Sequence, residues 1–229
     1  MNIAILIFPG TTGDVDCHHA LQDTLQASVE YVRHTDTNLS KFDCIVIPGG
    51  ASYGDYLRPG AIASKTPVME SVVAAVKAGK YVLGIGNGFQ ILLEAGLLPG
   101  AMLFNHTLKF NAQSVTLHVE NNRNPFTIDY SEKQSIELPI AHGAGNYYGC
   151  DQTIAQLQAN DQIIFRYASE NPNGSKDNIA GICNEQGNVL GMMPHPERAI
   201  TSLLGSADGR QLFTSILKTW REKHDAAIS

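Results

Sequence analysis

Two short segments of this 229-residue chain hold residue types that could do chemistry together: Gly84-Ile85-Gly86-Asn87-Gly88-Phe89-Gln90 and Gly191-Met192-Met193-Pro194-His195-Pro196-Glu197-Arg198. In the second, a carboxylate two residues from an imidazole can fix its tautomer. The far ring nitrogen is then free to take a proton from a nucleophile and give it to a leaving group. Pro196 is expected to hold the chain extended, so that His195 and Glu197 face the same way. An isolated His-x-Glu is also common on solvated turns, so the pair acquires meaning only beside a nucleophile. The first segment has the form of a strand-to-helix turn, where α/β enzymes set a nucleophile clear of the sheet and aim helix N-terminal amides at a developing oxyanion. Gly84 and Gly88 are small enough for such a turn. Its centre is Gly86, which has no nucleophile, so the glycines serve equally well a tight turn without chemistry. A dinucleotide phosphate loop needs G-x-G-x-x-G in the first βα unit; this turn reads G-x-G-x-G and comes later.

Two further stretches are weaker signals. Pro48-Gly49-Gly50-Ala51-Ser52-Tyr53-Gly54-Asp55-Tyr56 follows an apolar run, and consecutive glycines there can present N–H groups to a polarised oxygen. Asp55, Tyr56 and Arg58 could bind a polar substrate or a partner, although mixed charge on an exposed loop is the plainer reading. In Ala141 to Tyr148, His142 and Asn146 stand among glycines, and a lone His is more often structural or solvated than catalytic.

Positioning these segments requires a scaffold, and the apolar pattern supplies one. Met1 to Phe8 and Phe42 to Ile47 are continuous apolar runs, as expected of strands buried on both faces of a parallel sheet, the first of them central. Asp14 to Leu25 carries Cys17, Ala20, Leu21 and Leu25 on one helical stripe and leads to a strand from Ser28 to Val32, completing a βαβ unit. A helix with Thr66 as N-cap, Pro67 at its first position and Gly79 as its stop follows, with Met69, Val72, Val73 and Val76 on one face. Tyr81 to Gly84 is a strand that meets a helix beginning near Gly88. Val115 to Val119, Ser135 to Ile140, Ile163 to Tyr167, Ile179 to Cys183 and Val189 to Met193 are short β runs, some antiparallel. Turns at His142 to Asn146, Asn171 to Gly174 and Asn184 to Gly187 separate them, as in hairpins appended to the main sheet. A last helix from about Ala207 to Arg221 buries Leu212, Phe213, Ile216, Leu217 and Trp220. The architecture expected is one α/β domain over residues 1–229.

Composition narrows the function classes. With 16 Lys and Arg against 22 Asp and Glu, the net charge of −6 offers no basic footprint to nucleic acid or to anionic lipid. No window has the roughly 18 apolar residues of a membrane span, and Met1 to Phe8 lacks the basic flank of a leader, so a cytoplasmic protein is expected. Cys17, Cys44, Cys150 and Cys183 form no C-x-x-C pair and no ligand spacing, which argues against a zinc site or a disulfide framework.

Taken in order, the segments PGGASYGDYLR, NGFQILLEAGLLPGA, AHGAGN, NGS, GMMPHPERA and GSADG closely resemble the glutaminase subunits of phosphoribosylformylglycinamidine synthase, the PurQ type of class I glutamine amidotransferase. The resemblance runs from the first strand to Arg221. It implies a flavodoxin-like open, mostly parallel sheet flanked by helices, with a cysteine at the turn that attacks the side-chain amide of glutamine, forms a glutamyl thioester and releases ammonia. It further implies a partner synthetase subunit that uses ATP and Mg to convert formylglycinamide ribonucleotide to its amidine in purine synthesis, and a small accessory subunit. The glutaminase subunit itself needs no cofactor. By the same resemblance His195 is the general base, Glu197 its orienter, Gly50 and the N–H of Asn87 the oxyanion hole, and Gln90 a holder of glutamine. This chain departs where it matters most: Gly86 stands at the cysteine position. The segments around Gly13 and Pro59 also lack cysteines usual in the family, and Ala144 stands where Glu is usual. A nucleophile elbow commonly costs of order 1–3 kcal/mol in backbone strain, which glycine avoids, so the fold should tolerate Gly86. The expectation is a folded subunit deficient in glutamine hydrolysis; the competing one is a non-catalytic scaffold that docks the synthetase.

Overall fold

Side chains that alternate between two cores explain the apolar runs. The computed structural model describes residues 1–168 and 170–228. Strands β1 (Asn2–Ile7), β3 (Cys44–Ile47) and β4 (Tyr81–Ile85) send Ile3, Ile5, Cys44, Val46, Leu83 and Ile85 to one side, and Ala4, Leu6, Ile45, Ile47 and Val82 to the other. Strands covered by helices on both faces must be apolar throughout. The first core is closed by α1 (Asp14–Leu25) and α5 (Arg210–Ile228), the second by α2 (Pro67–Lys77), α3 (Asn87–Glu94) and α4 (Asp151–Ala159).

The main sheet has nine strands in the order β2-β1-β3-β4-β11-β10-β9-β6-β7, with β2 at Ser28–Arg33, β6 at Asn111–Val119, β7 at Ser135–His142, β9 at Ile163–Tyr167, β10 at Ile179–Cys183 and β11 at Val189–Met192. The first five are parallel; each of the remaining four runs antiparallel to its inner neighbour. This is the flavodoxin-like, mostly parallel sheet expected, and the antiparallel strands extend it directly. β5 (Ala101–Leu103) and β8 (Asn146–Tyr148) form a separate two-stranded ribbon.

Several expectations need correction. β1 has a neighbour on each side but lies only one strand from the edge, because the chain turns back through α1 to lay β2 outside it. Helix α4 had no sequence signal: in DQTIAQLQA only Ile154 and Leu157 are buried, too thin a stripe to stand out among polar residues. His142 and Asn146 are the end of β7 and the start of β8, so the turn between them is three residues long. The last helix begins at Arg210 and continues to Ile228, with Leu217 and Trp220 only partly buried. At α2, Pro67 does open the helix and Gly79 follows its end at φ +78°, but Thr66 caps nothing with its side chain. Its Oγ1 instead donates to the Ala63 carbonyl at 2.7 Å.

Candidate active site

The carboxyl ends of β1, β3, β4 and β11 converge at the point where strand order reverses, the place where open α/β sheets bind ligands. The loops after β1 and β3 are laced together: Thr12 and Gly13 donate N–H to the Gly49 carbonyl at 3.1 and 3.0 Å, and Ala51 donates to the Gly10 carbonyl at 2.9 Å. Gly50 is required there. It has φ +149°, and a Cβ on it would come within 2.5 Å of the Gly10 oxygen.

At the end of β4, Gly86 has φ +54° and ψ −109°, a combination closed to other residues without strain. Its N–H donates to the Met192 carbonyl at 2.8 Å, and its carbonyl accepts from Phe89 at 3.0 Å as α3 begins. The turn is held close by Gly88, where any Cβ would collide with the Ile47 carbonyl. The direction in which a side chain at 86 would project is therefore fixed by backbone alone. An ideal Cβ on Gly86 would stand 3.2 Å from His195 Cε1 and 3.3 Å from His195 Nε2.

His195 follows β11. Its N–H donates to the Pro139 carbonyl of β7 at 2.8 Å, and the ring lies so close to Gly49 that a Cβ there would be 2.7 Å from Cε1. His195 Nδ1 meets Glu197 Oε1 at 2.7 Å, and the two residues are only 3% and 2% exposed. An ionised carboxylate only accepts, so the shared proton belongs to Nδ1 and Nε2 offers its lone pair towards residue 86. The pairing was expected, but its cause was not. Pro196–Arg198 forms a single 3-10 turn, with Arg198 donating back to the His195 carbonyl at 3.2 Å. The chain between the two residues curls, and the curl rather than an extended backbone brings them together.

The Asn87 N–H lies in the first turn of α3, where the helix supplies no acceptor. Asn87 Oδ1 accepts from Ser52 N–H at 3.1 Å, and its Nδ2 donates to Gln90 Oε1 at 2.8 Å; Gln90 Nε2 in turn donates to the Ala144 carbonyl at 2.6 Å. This buried chain of amides ties the β3 loop, α3 and the β7–β8 turn to one another. It frames a cavity of about 250 Å³ whose wall includes Gly50, Gly86, Asn87, Gln90 and His195. All the site residues picked from the sequence reach this cavity except Glu197, which stands behind His195.

Three residues of the two weaker sequence signals also line the cavity, His142, Asp55 and Arg58, whereas Tyr56 and Asn146 do not. His142 does so with 4% exposure, and burial, with a smaller contribution from His195, pulls its pKa down to about 4. Asp55 and Arg58 line it as well; burial raises the Asp55 carboxyl above its ordinary range, while Arg58 is gripped by Glu94 through two bonds of 2.6 Å. Pro59 and Ala144, two of the positions that depart from the PurQ pattern, are on the same wall, and Gly13 is one hydrogen bond from Gly49 behind it. Leu57, Phe104 and Phe110 form an exposed apolar rim.

A family profile for the CobB/CobQ-like glutamine amidotransferase domain matches residues 1–222. The chain belongs to this glutamine amidotransferase family. It is 43% identical to a chain in the structure of PurLQS from Thermotoga maritima, with a TM-score of 0.88 over 96% of this chain and 98% of that one. The PurQ-type resemblance read from the sequence is thereby borne out. More distant structures share the fold. A glutamine amidotransferase from Thermotoga maritima is 11% identical with TM-score 0.59, over 99% of this chain and 85% of that one. The glutaminase domain of Trypanosoma brucei CTPS is 14% identical with TM-score 0.61, over 95% of this chain and 94% of that one.

Proposed function

We propose that this chain is the glutaminase subunit of a phosphoribosylformylglycinamidine synthase whose nucleophile position, residue 86, is occupied by glycine, so that it binds glutamine without hydrolysing it. One observation carries the reading: the side-chain direction at Gly86 points at His195 Nε2, with an ideal Cβ 3.3 Å away, while Glu197 holds the opposite ring nitrogen at 2.7 Å. A base and its orienter are aimed at a position with nothing to deprotonate.

With a thiol at residue 86 the chemistry follows from these positions. His195 Nε2 takes the thiol proton, and the thiolate attacks the carboxamide carbon of glutamine. The resulting oxyanion is met by the N–H groups at Gly50 and Asn87, and the C–N bond breaks as His195 returns the proton to the leaving ammonia. Water then attacks the thioester as His195 accepts its proton, the C–S bond breaks to release glutamate, and His195 returns the proton to the thiolate. Glu197 favours the imidazolium formed in each half-reaction. Without the thiol, covalent catalysis is lost, while the hydrogen-bonding groups that would hold glutamine stay in place. Gln90 contributes to holding the substrate.

Ammonia made this way serves a cytoplasmic synthetase subunit, which uses ATP and Mg to form an amidine from formylglycinamide ribonucleotide, assisted by a small accessory subunit. The exposed rim of Leu57, Phe104 and Phe110 around the cavity mouth supports docking there, since apolar side chains clustered at an opening are suited to be covered by a partner. The test mixes this chain, or Gly86→Cys, with the synthetase and accessory subunits and measures co-elution and ammonia release. Co-elution of both, with ammonia released only by the cysteine variant, is expected. Co-elution without ammonia from either would favour the scaffold reading.

A further inference from the structure

Among the described residues, two buried side-chain polar atoms of the cavity wall have no hydrogen-bond partner, Asp55 Oδ1 and His142 Nε2, and both are acceptors. For the imidazole this follows from Asn105, whose Nδ2 donates to the carbonyls of Lys109 and His142 at 2.8 and 2.9 Å. Its Oδ1 is thereby turned to His142 Nδ1 at 3.0 Å and to the Gly145 N–H at 2.9 Å. An amide oxygen only accepts, so the ring proton is on Nδ1 and Nε2 keeps its lone pair. A group that reaches either of these two atoms must therefore bring a hydrogen-bond donor.

The Asp55 carboxylate is held where it is by a constrained loop. Tyr53, Gly54 and Asp55 have φ of 53°, 67° and 55°, three successive residues in the left-handed region, which the surroundings must impose. Tyr53 N–H donates to the Pro9 carbonyl at 2.6 Å, Gly54 to the Ala51 carbonyl at 2.8 Å, and Ser52 to Asn87 Oδ1 at 3.1 Å, fixing the loop to the turn that carries residue 86. The other charged side chain of the wall apart from the imidazoles, Arg58, is matched by Glu94. Among the described residues the Asp55 carboxylate thus has neither a counter-charge nor a hydrogen-bond partner, and a partly desolvated carboxylate gains most from a cation that also donates hydrogen bonds.

We propose that Asp55 receives the α-ammonium group of the substrate and so selects an α-amino acid amide over an amide lacking that group. The inference rests on the reading that this cavity takes glutamine. The substrate's carboxamide end must lie at residue 86, beside the Gly50 and Asn87 amides, which leaves the ammonium as the donor available to Asp55.

The test is calorimetric titration of the full chain, alone and with the synthetase subunit. Residue 86 has no nucleophile, so bound glutamine would not turn over during the measurement. Two ligands are compared: L-glutamine and 4-carbamoylbutanoate, which is glutamine without its amino group. Asp55→Asn should weaken glutamine about ten- to hundredfold, the range for a hydrogen bond to a charged group, and leave 4-carbamoylbutanoate unchanged. Asp55→Ser, a second replacement without charge, should repeat the pattern, so a folding defect peculiar to one variant cannot mimic it. Equal losses for both ligands, or no loss for either, would overturn the assignment while leaving the glutamine site standing. Failure of the parent chain to bind glutamine in either state would overturn both.

Discussion

At the end of β11, His195 and Glu197 share a 2.7 Å bond in near-complete burial, with the ring seated against Gly49. Beside it, at the end of the neighbouring strand β4, Gly86 keeps the sharp turn, the carbonyl that starts α3 and the positive φ, yet projects no atom into the space before His195. One strand end has backbone and side chains; the other has backbone only. The comparison teaches that the geometry of this site is stored largely in main chain, because the position and direction of a side chain at 86 are set by the Gly84–Gly88 turn and the Gly86 to Met192 hydrogen bond whatever residue stands there. On the proposed function, glycine at 86 removes the chemistry and relaxes the strain together.

The largest effect that can sharpen this contrast is a gain. Gly86→Cys should raise ammonia release from background by about 10³-fold or more, since loss of a nucleophile typically removes most of a triad's rate enhancement. A background-level rate in a folded variant would break the contrast at its centre. In the same cysteine-bearing chain, Glu197→Gln should lower kcat by about 10²–10⁴, because the amide no longer stabilises the imidazolium. An unchanged kcat would mean that the buried pair is only structural.

A smaller effect concerns His142 and stability. Its pKa lies near 4 when folded, against an ordinary value of 6.5, so the unfolded chain binds the proton first as acid is added. The stabilisation from keeping His142 neutral is present above about pH 6.5 and is lost as pH falls towards 4, a change of about 3 kcal/mol over the window. Urea unfolding at a series of pH values should show this slope, and His142→Gln should flatten it. The smallest effect is the strain at residue 86: Gly86→Cys should cost about 1–3 kcal/mol and lower the melting temperature by several degrees, checked by scanning calorimetry. A cysteine variant as stable as the parent would show that the turn is not strained.

The parallel half of the sheet was readable because its physics is simple. Runs such as Ile3 to Leu6 and Cys44 to Ile47 have no reason to be apolar throughout unless both faces are covered, and Pro67 and Gly79 bracket α2 by conformational preference. The antiparallel half was less readable. β6 begins at Asn111 with four residues that are not buried, α4 has a two-residue stripe, and β5 and β8 are three residues each. The site divides in the same way. His195, Glu197, Gly50, Asn87 and Gln90 sit in local motifs, whereas His142 and Asp55 acquire meaning only when β7 and the β3 loop fold onto one cavity and leave their acceptors unmatched. No spacing in the sequence encodes that meeting.

The most direct test of the central claim is intact-protein and peptide mass analysis of Gly86→Cys quenched during incubation with glutamine. A glutamyl thioester on residue 86, absent from the parent chain and leaving Cys17, Cys44, Cys150 and Cys183 unmodified, is the predicted result. An adduct on one of those four cysteines, or a folded variant that forms no adduct and releases no ammonia, would contradict the assignment of Gly86 as the vacant nucleophile position.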